Sequence, residues 1–140
     1  MRAAVLFAAS VITAVGCGSG SAATPPGSGT SLTITVWPEG REKGAPIRLT
    51  LRCSPPGGTV RQPAATCRKL AAQSNPFAPL DKDIVCTDQY GGPQEALVSG
   101  TYRGRRTSVQ LTARNGCEMW RWNRLAFLVP GAPGTSGGPA

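Results

Sequence analysis

An α+β fold with one antiparallel sheet is the class that this sequence predicts, and three observations lead to it. Segments in which apolar and polar side chains alternate every second residue recur along the chain. Two short stretches between them have helical spacing instead. Glycine and proline, 18 and 13 of the 140 residues, separate these segments as turn residues do. We therefore expect short strands and two short helices packed in layers as one domain.

Five segments are predicted to be strands. Ser31–Trp37 alternates strictly between aliphatic residues and threonines, and Ile47–Cys53 repeats the pattern with aliphatic residues and a cysteine facing inward. Glu95–Arg103 and Arg106–Arg114 predict a hairpin that turns around Gly104. Leu125–Val129 is mostly apolar and is predicted to be the last strand.

Two segments are predicted to be helices. Pro63–Gln73 begins with a proline, carries Cys67, Leu70 and Ala71 at helical spacing, and must end before Asn75-Pro76. A shorter helix or turn is expected around Glu118–Asn123. Trp120 and Trp122, two residues apart here, would share a face in a strand and diverge in a helix. In either case they are expected to pack in the core or at a dimer surface.

Residues 1–16 have the pattern of an export signal, with Arg2 before an apolar stretch that is too short for a stable membrane helix. Two cleavage sites compete. Ala14-Val15-Gly16-Cys17 resembles a bacterial lipobox, in which the cysteine becomes lipidated, whereas ordinary cleavage would occur near Ser21-Ala22-Ala23. The odd number of cysteines favours the lipobox, because lipidation of Cys17 leaves an even number for disulfides. The chain is thus expected to be secreted, with a lipid tether to the outer face of a bacterial membrane.

Composition divides the rest of the chain. Residues 17–30 are predicted to be a flexible linker and residues 130–140 a disordered tail, since both are rich in glycine, serine, alanine and proline. The packed domain is therefore expected to span residues 31–129. A unit of this size can build its own core, which disulfides would reinforce.

The chain has five cysteines and no histidine, a composition that argues for a binding protein and against an enzyme. Without histidine, the usual general base and the commonest zinc ligand are missing. The seven carboxylates include no recognisable catalytic pair and no calcium-loop spacing, so no metal or cofactor is expected. The net charge of +8 is attributed first to a solvated arginine face. Attraction to anionic envelope polymers or lipid headgroups is the alternative, and nucleic-acid binding is not expected.

The region Leu32 to Phe127 resembles the Streptomyces subtilisin inhibitor family of secreted serine-protease inhibitors. The specific part of the match is a Cys-x-x-x-Tyr stretch after the third domain cysteine, followed by Asn-x-Cys-Glu-Met at the fourth. The matching pieces are Leu49–Cys53, Cys67–Ala72, Val85–Tyr90, Gly100–Arg105 and Asn115–Met119.

The resemblance implies a five-stranded antiparallel sheet with two helices, disulfides Cys53–Cys67 and Cys86–Cys117, and a homodimer formed through sheet faces. It also implies a mechanism. An exposed loop enters the protease cleft like a substrate, but it is held so rigidly that cleavage is slow and reversible. The expected partner is therefore a serine protease, either subtilisin-like or specific for acidic residues.

The register of the family places the scissile bond between Asp88 and Gln89. Val85, Cys86 and Thr87 would occupy the protease subsites before the bond, and Tyr90 would follow it. The side-chain amide of Asn115 matches a family position that supports the loop from behind. The alternative for this asparagine is an ordinary turn residue before Gly116.

Two departures from the family pattern leave function open. Family members mostly carry methionine, lysine or arginine at the position of Asp88, and an aspartate would lose hydration in an apolar pocket. Either the target protease supplies a positive charge, or the chain is a non-inhibitory cell-envelope interaction module on the same scaffold. Gly91-Gly92-Pro93 stands where the family commonly has one aspartate before proline, and two glycines are expected to loosen the loop.

Overall fold

The computed structural model describes residues 29–133. The predicted signal, Cys17 and all but the last two residues of the predicted linker lie outside the described residues, as do residues 134–140 of the predicted tail. Predictions that concern these segments therefore stay predictions.

The described chain forms five strands and two helices. The sheet order is β3-β2-β1-β4-β5, with every neighbouring pair antiparallel, so β1 is the central strand. The predicted fold class is confirmed. The elements are β1 (Ser31–Trp37), β2 (Ile47–Cys53), β3 (Pro56–Gly58), α1 (Pro63–Ala71), β4 (Glu95–Tyr102), β5 (Arg105–Thr112) and α2 (Gly116–Arg124).

One face of the sheet carries the core. Ile34 lies opposite Leu49 on β2 and Val98 on β4, and Val98 lies in turn opposite Val109. Apolar side chains from the helices and from the segment after α2 pack in the same cluster, among them Leu70, Trp122, Leu125, Leu128 and Val129. The opposite face, here called the open face, presents mainly hydroxyl and arginine side chains from the alternate strand positions.

The prediction of a strand at Leu125–Val129 is wrong. This segment forms consecutive turns, in which the amides of Leu128 and Val129 both donate to the Leu125 carbonyl at 2.8 Å. The segment still contributes three buried side chains to the core, those of Leu125, Leu128 and Val129. Their spacing of three and four residues is that of a helical turn and not that of a strand, in which every second side chain is buried. The fifth strand is instead β3, a Pro-Gly-Gly segment that pairs with β2 at the edge of the sheet. A proline, which has no backbone N–H, is tolerated there because an edge strand pairs on one side only.

The remaining elements follow the predictions closely. The β4–β5 hairpin turns through Arg103 and Gly104, both with positive φ (49° and 76°), as a two-residue hairpin turn requires. Both disulfides that the resemblance implied are present, Cys53–Cys67 between β2 and α1 and Cys86–Cys117 at α2. Buried Thr30 and Ala132 extend the packed unit slightly beyond residues 31–129.

Candidate functional site

The predicted reactive segment lies in the long connection between α1 and β4, on the surface of the domain. The side chain of Val85 is 94% exposed and that of Tyr90 is 65% exposed. Thr87, Asp88 and Gln89 are also exposed, and Cys86 alone is partly buried. The six predicted residues thus form one exposed stretch, here called the exposed loop (residues 85–90).

A disulfide attaches the exposed loop to α2. Cys86 is bonded to Cys117 in the first turn of the helix, with 5.4 Å between their Cα atoms. The helix itself is anchored in the core by Trp122, which is fully buried. The covalent link therefore joins the exposed loop to a part of the chain that the hydrophobic core holds in place.

Two backbone hydrogen bonds flank the Asp88–Gln89 peptide bond. On one side the amide of Gly116 donates to the carbonyl of Thr87 at 3.0 Å. On the other side the amide of Gly91 donates to the carbonyl of Ala113 at 2.7 Å. Both partners belong to the short β5–α2 junction (residues 113–116). Each half of the exposed loop therefore has its own attachment to the same few residues.

Asn115 lies in this junction and is the N-cap of α2. Its side-chain oxygen accepts a hydrogen bond from the amide of Glu118 at 3.0 Å, which satisfies one of the free amides at the helix start. Glu118 in the first turn also suits the positive end of the helix dipole. The cap fixes the start of the helix, and so the position of the neighbouring Gly116 amide.

Sequence reasoning missed Gly116 as a site residue, and it considered Gly91 only for the freedom of the loop. A Cβ atom on Gly116 would overlap the hydroxyl of Thr87, and one on Gly91 would overlap the sulfur of Met119. Both glycines therefore permit close approach of the exposed loop and its support. The only sequence signal for Gly116 was its position directly before Cys117. Its contact with Thr87 could not be predicted, because the two residues are distant in sequence.

The insertion Gly91-Gly92 has a packing role in the structure. The carbonyl of Gly91 accepts from the side-chain amide of Gln94 at 3.2 Å, in addition to the bond that its own amide makes. Gly92 has a φ of 129°, a conformation that other residues rarely adopt. The structure thus gives Gly91 contacts of its own, and the expectation that the two glycines loosen the loop stays a prediction.

An apolar groove of about 560 Å³ runs between the exposed loop and α2, bounded by Ile84, Val85, Met119 and Trp120. Trp120 is 55% exposed, and the guanidinium of Arg124 lies 4.8 Å from the centre of its ring. Trp120 and Trp122 thus diverge, as the helical prediction requires. The groove offers apolar contact area to a protein surface.

Within residues 29–133, no group of three or more histidine, cysteine, aspartate or glutamate residues could hold a metal ion. None of the helices in the same part of the chain is long and apolar enough to span a membrane.

Comparison with known proteins identifies the architecture. The model of the family described as subtilisin inhibitor-like matches residues 27–115, which include all of the exposed loop. The chain belongs to this family. A subtilase-type protease inhibitor of Streptomyces coelicolor is 37% identical over 110 residues, covering 73% of this chain and 76% of that protein.

More distant relatives of the domain have related names. A subtilisin inhibitor of Streptomyces violaceus is 36% identical over 95 residues, which cover 64% of each chain. A transglutaminase-activating metalloprotease inhibitor of Streptomyces mobaraensis is 30% identical over 92 residues, covering 63% of this chain and 62% of that protein. The family match ends at Asn115, so α2 and the Cys117 end of the loop disulfide extend the domain beyond it.

Proposed function

We propose that this chain is a secreted, lipid-anchored inhibitor of a serine endopeptidase, and that residues 85–90 bind in the enzyme's cleft as a substrate would. The scissile bond is Asp88–Gln89. One observation carries the proposal: this peptide bond is exposed, while the backbone on both of its sides is attached to the β5–α2 junction.

The attachments explain how exposure can give inhibition instead of digestion. A loop that is ordered by folding loses little further conformational entropy on binding, so the contact area is available for affinity. If the protease cuts the bond, Cys86 and the Thr87 carbonyl still hold the first half, and the Gly91 amide holds the second. The new amine of Gln89 then stays beside the acyl group, and religation can compete with release.

Asp88 determines which enzyme this loop suits. Its exposed carboxylate would enter the protease pocket for the residue before the bond, and burial of an unpaired charge in an apolar pocket is unfavourable. A pocket that carries an arginine or lysine would compensate the charge. The exposed Val85, three residues earlier, offers an apolar side chain to the S4 pocket of a subtilisin-like enzyme.

Inhibition assays against a panel of proteases test the proposal. The panel contains subtilisin, trypsin and a serine protease specific for acidic residues, and a metalloprotease is added because one relative's name includes that target. We expect the natural chain to inhibit the acidic-specific enzyme, Asp88→Lys to inhibit trypsin, and Asp88→Met to inhibit subtilisin. If neither variant slows any serine protease at micromolar concentration, the loop is not an inhibitory one.

Asp88 also motivates a second candidate, a non-inhibitory cell-envelope interaction module on the same fold. A chain that no longer acts on proteases would not need a favourable residue before the scissile bond. The two candidates differ in the panel assay: this module would leave every protease active in its natural form, although Asp88→Lys could still create trypsin inhibition through the retained scaffold.

Two further parts of the proposal concern location and assembly. We propose export by the signal in residues 1–16 and lipidation of Cys17 from the sequence pattern. Mass spectrometry of the native N-terminus distinguishes lipidation from cleavage near Ala23. The homodimer is proposed to form through the open face. Its centre contains Thr33, Thr35, Leu97 and Ser99, of which Thr35 is already 93% buried by its neighbours on the sheet (7% exposed).

A further inference from the structure

Acidic and basic residues are unevenly distributed over the domain. Every carboxylate of the chain lies within the described residues, and none lies in the β4–β5 hairpin turn or lines the groove beside it. Glu95, at the start of β4, is at the opposite end of that strand, about 23 Å from its last residue, because the eight residues of β4 are separated by seven steps of ~3.3 Å. The others are Glu39 and Glu42 before β2, Asp81, Asp83 and Asp88 before β4, and Glu118 in α2.

Three arginines surround a groove of about 530 Å³ at the hairpin turn, here called the arginine groove. Arg103, Arg105 and Arg106 are all exposed. The polar residues Ser74, Asn75, Thr107 and Ser108 also line the groove. In the described part of the chain, both ion pairs involve Glu95 at the other end of the sheet, so none of the three arginines is neutralised by a carboxylate.

The chain enters the folded domain at this same turn. The amide of Gly104 donates to the carbonyl of Gly29 at 3.0 Å, and the amide of Arg103 donates to the hydroxyl of Thr30 at 3.2 Å. Cys17 is only 12 residues before Gly29 (29 − 17), and 12 residues span at most about 40 Å. An anchor at Cys17 would therefore keep the arginine groove close to the membrane.

We propose that the arginine groove docks on the anionic phospholipid headgroups of the membrane. Guanidinium groups bind phosphate through paired N–H donors, and the hydroxyls of the groove can accept or donate to the same headgroup. Because β5 runs from the groove at Arg105 to the junction that supports the exposed loop, docking directs residues 85–90 away from the membrane. This inference rests on the proposed membrane location.

Cosedimentation with vesicles tests the docking without the lipid anchor. Residues 18–140 retain every described contact, both disulfides and the complete core. The chain is mixed with vesicles of pure phosphatidylcholine, or with vesicles that contain about 30% phosphatidylglycerol, at about 50 and about 500 mM salt. We expect binding to the anionic vesicles alone, and its loss at high salt.

Two matched double variants locate the binding surface. Arg105→Ser with Arg106→Ser is expected to lower the partition coefficient at least about tenfold, because each basic residue near an anionic surface contributes roughly fivefold. Lys43→Ser with Lys82→Ser removes the same charge from exposed positions outside the groove, and is expected to lower it less than about threefold. Equal losses in both variants would mean diffuse attraction by net charge and would overturn the proposal.

Two other results also decide the outcome. Absence of binding to anionic vesicles would overturn the proposed docking. Binding to purified cell-wall polymer, without binding to vesicles, would overturn it as well. Neither measurement contains a protease. A chain that binds vesicles through the arginine groove but inhibits no enzyme would therefore contradict the proposed inhibition and leave the docking surface established.

Discussion

Gly116, the first residue of α2, lies so close to Thr87 that a Cβ atom at this position would overlap the Thr87 hydroxyl. We expect Gly116→Ala to push Thr87 outward and weaken inhibition roughly tenfold to hundredfold, since displacement of a reacting group by about 1 Å has effects of this size. The measurement is the inhibition constant of Asp88→Met against subtilisin, with and without Gly116→Ala.

A compensating variant checks the physical reason for this prediction. Thr87→Ala removes the hydroxyl that the new methyl group would overlap. Combined with Gly116→Ala, it should restore most of the lost inhibition. If the double variant is as weak as Gly116→Ala alone, steric displacement of Thr87 is not the cause.

Asn115 offers a test of how the loop is supported. We expect Asn115→Asp to keep both stability and inhibition, because aspartate also accepts from the Glu118 amide and suits the helix N-terminus. Asn115→Ala should lower the free energy of unfolding by about 1 kcal/mol and weaken inhibition as the helix start loosens. Urea unfolding and inhibition constants provide the comparison.

The opposite result for Asn115 would be informative. A stable Asn115→Asp variant with weakened inhibition would assign the support to the side-chain amide, as the family resemblance implied. The position of the exposed loop was predicted from the family resemblance, and its register in a protease cleft stays a prediction. The close approaches of Gly91 and Gly116 could not be predicted, because they depend on which distant side chain packs against each glycine.

Among the elements, those with a strong local pattern could be predicted from the sequence. Alternation identified β1, β2 and β5, the hairpin pattern around Gly104 identified β4, and a proline marked the start of α1. β3 was missed because Pro-Gly-Gly is depleted in strands, and only pairing with β2 orders it. Leu125–Val129 was misassigned because a short apolar run has no decisive period.

The disulfide between the loop and α2 should distinguish an inhibitor from a substrate. We expect Cys86→Ser with Cys117→Ser to be cleaved rapidly at the bond after residue 88, because the first half of the loop loses its covalent attachment. In the chain-entropy model the bridge contributes roughly 3.7 kcal/mol of stability. Mass spectrometry of an Asp88→Met inhibitor incubated with subtilisin follows the cleavage.

The other disulfide is the matched control. Cys53→Ser with Cys67→Ser removes a bridge between β2 and α1 that contributes roughly 3 kcal/mol in the same model. We expect this variant to lose stability but to remain a slowly cleaved inhibitor. Rapid cleavage of both variants would attribute the effect to general unfolding and contradict a special role for Cys86.

At the scale of the whole molecule, a substitution in the centre of the open face tests the proposed dimer. Leu97→Arg places a charge in the middle of the open face, between Thr35 and Gln110. If a second copy covers this face, sedimentation should change from dimer to monomer, since an unpaired buried charge is unfavourable. Ile47→Arg adds the same charge at an exposed position on the other face and should leave the mass unchanged. A natural chain that sediments as a monomer would contradict the dimer.

The position of β1 has a mechanical consequence for a tethered molecule. If the chain is anchored at Cys17 and binds a protease through residues 85–90, as proposed, flow that pulls the protease away would put the chain under tension. This force would enter the domain at Gly29, next to β1. Strand β1 has a hydrogen-bonded neighbour on each side, β2 and β4. Antiparallel hydrogen bonds run perpendicular to the strands, so tension along β1 shears them together and does not unzip them singly.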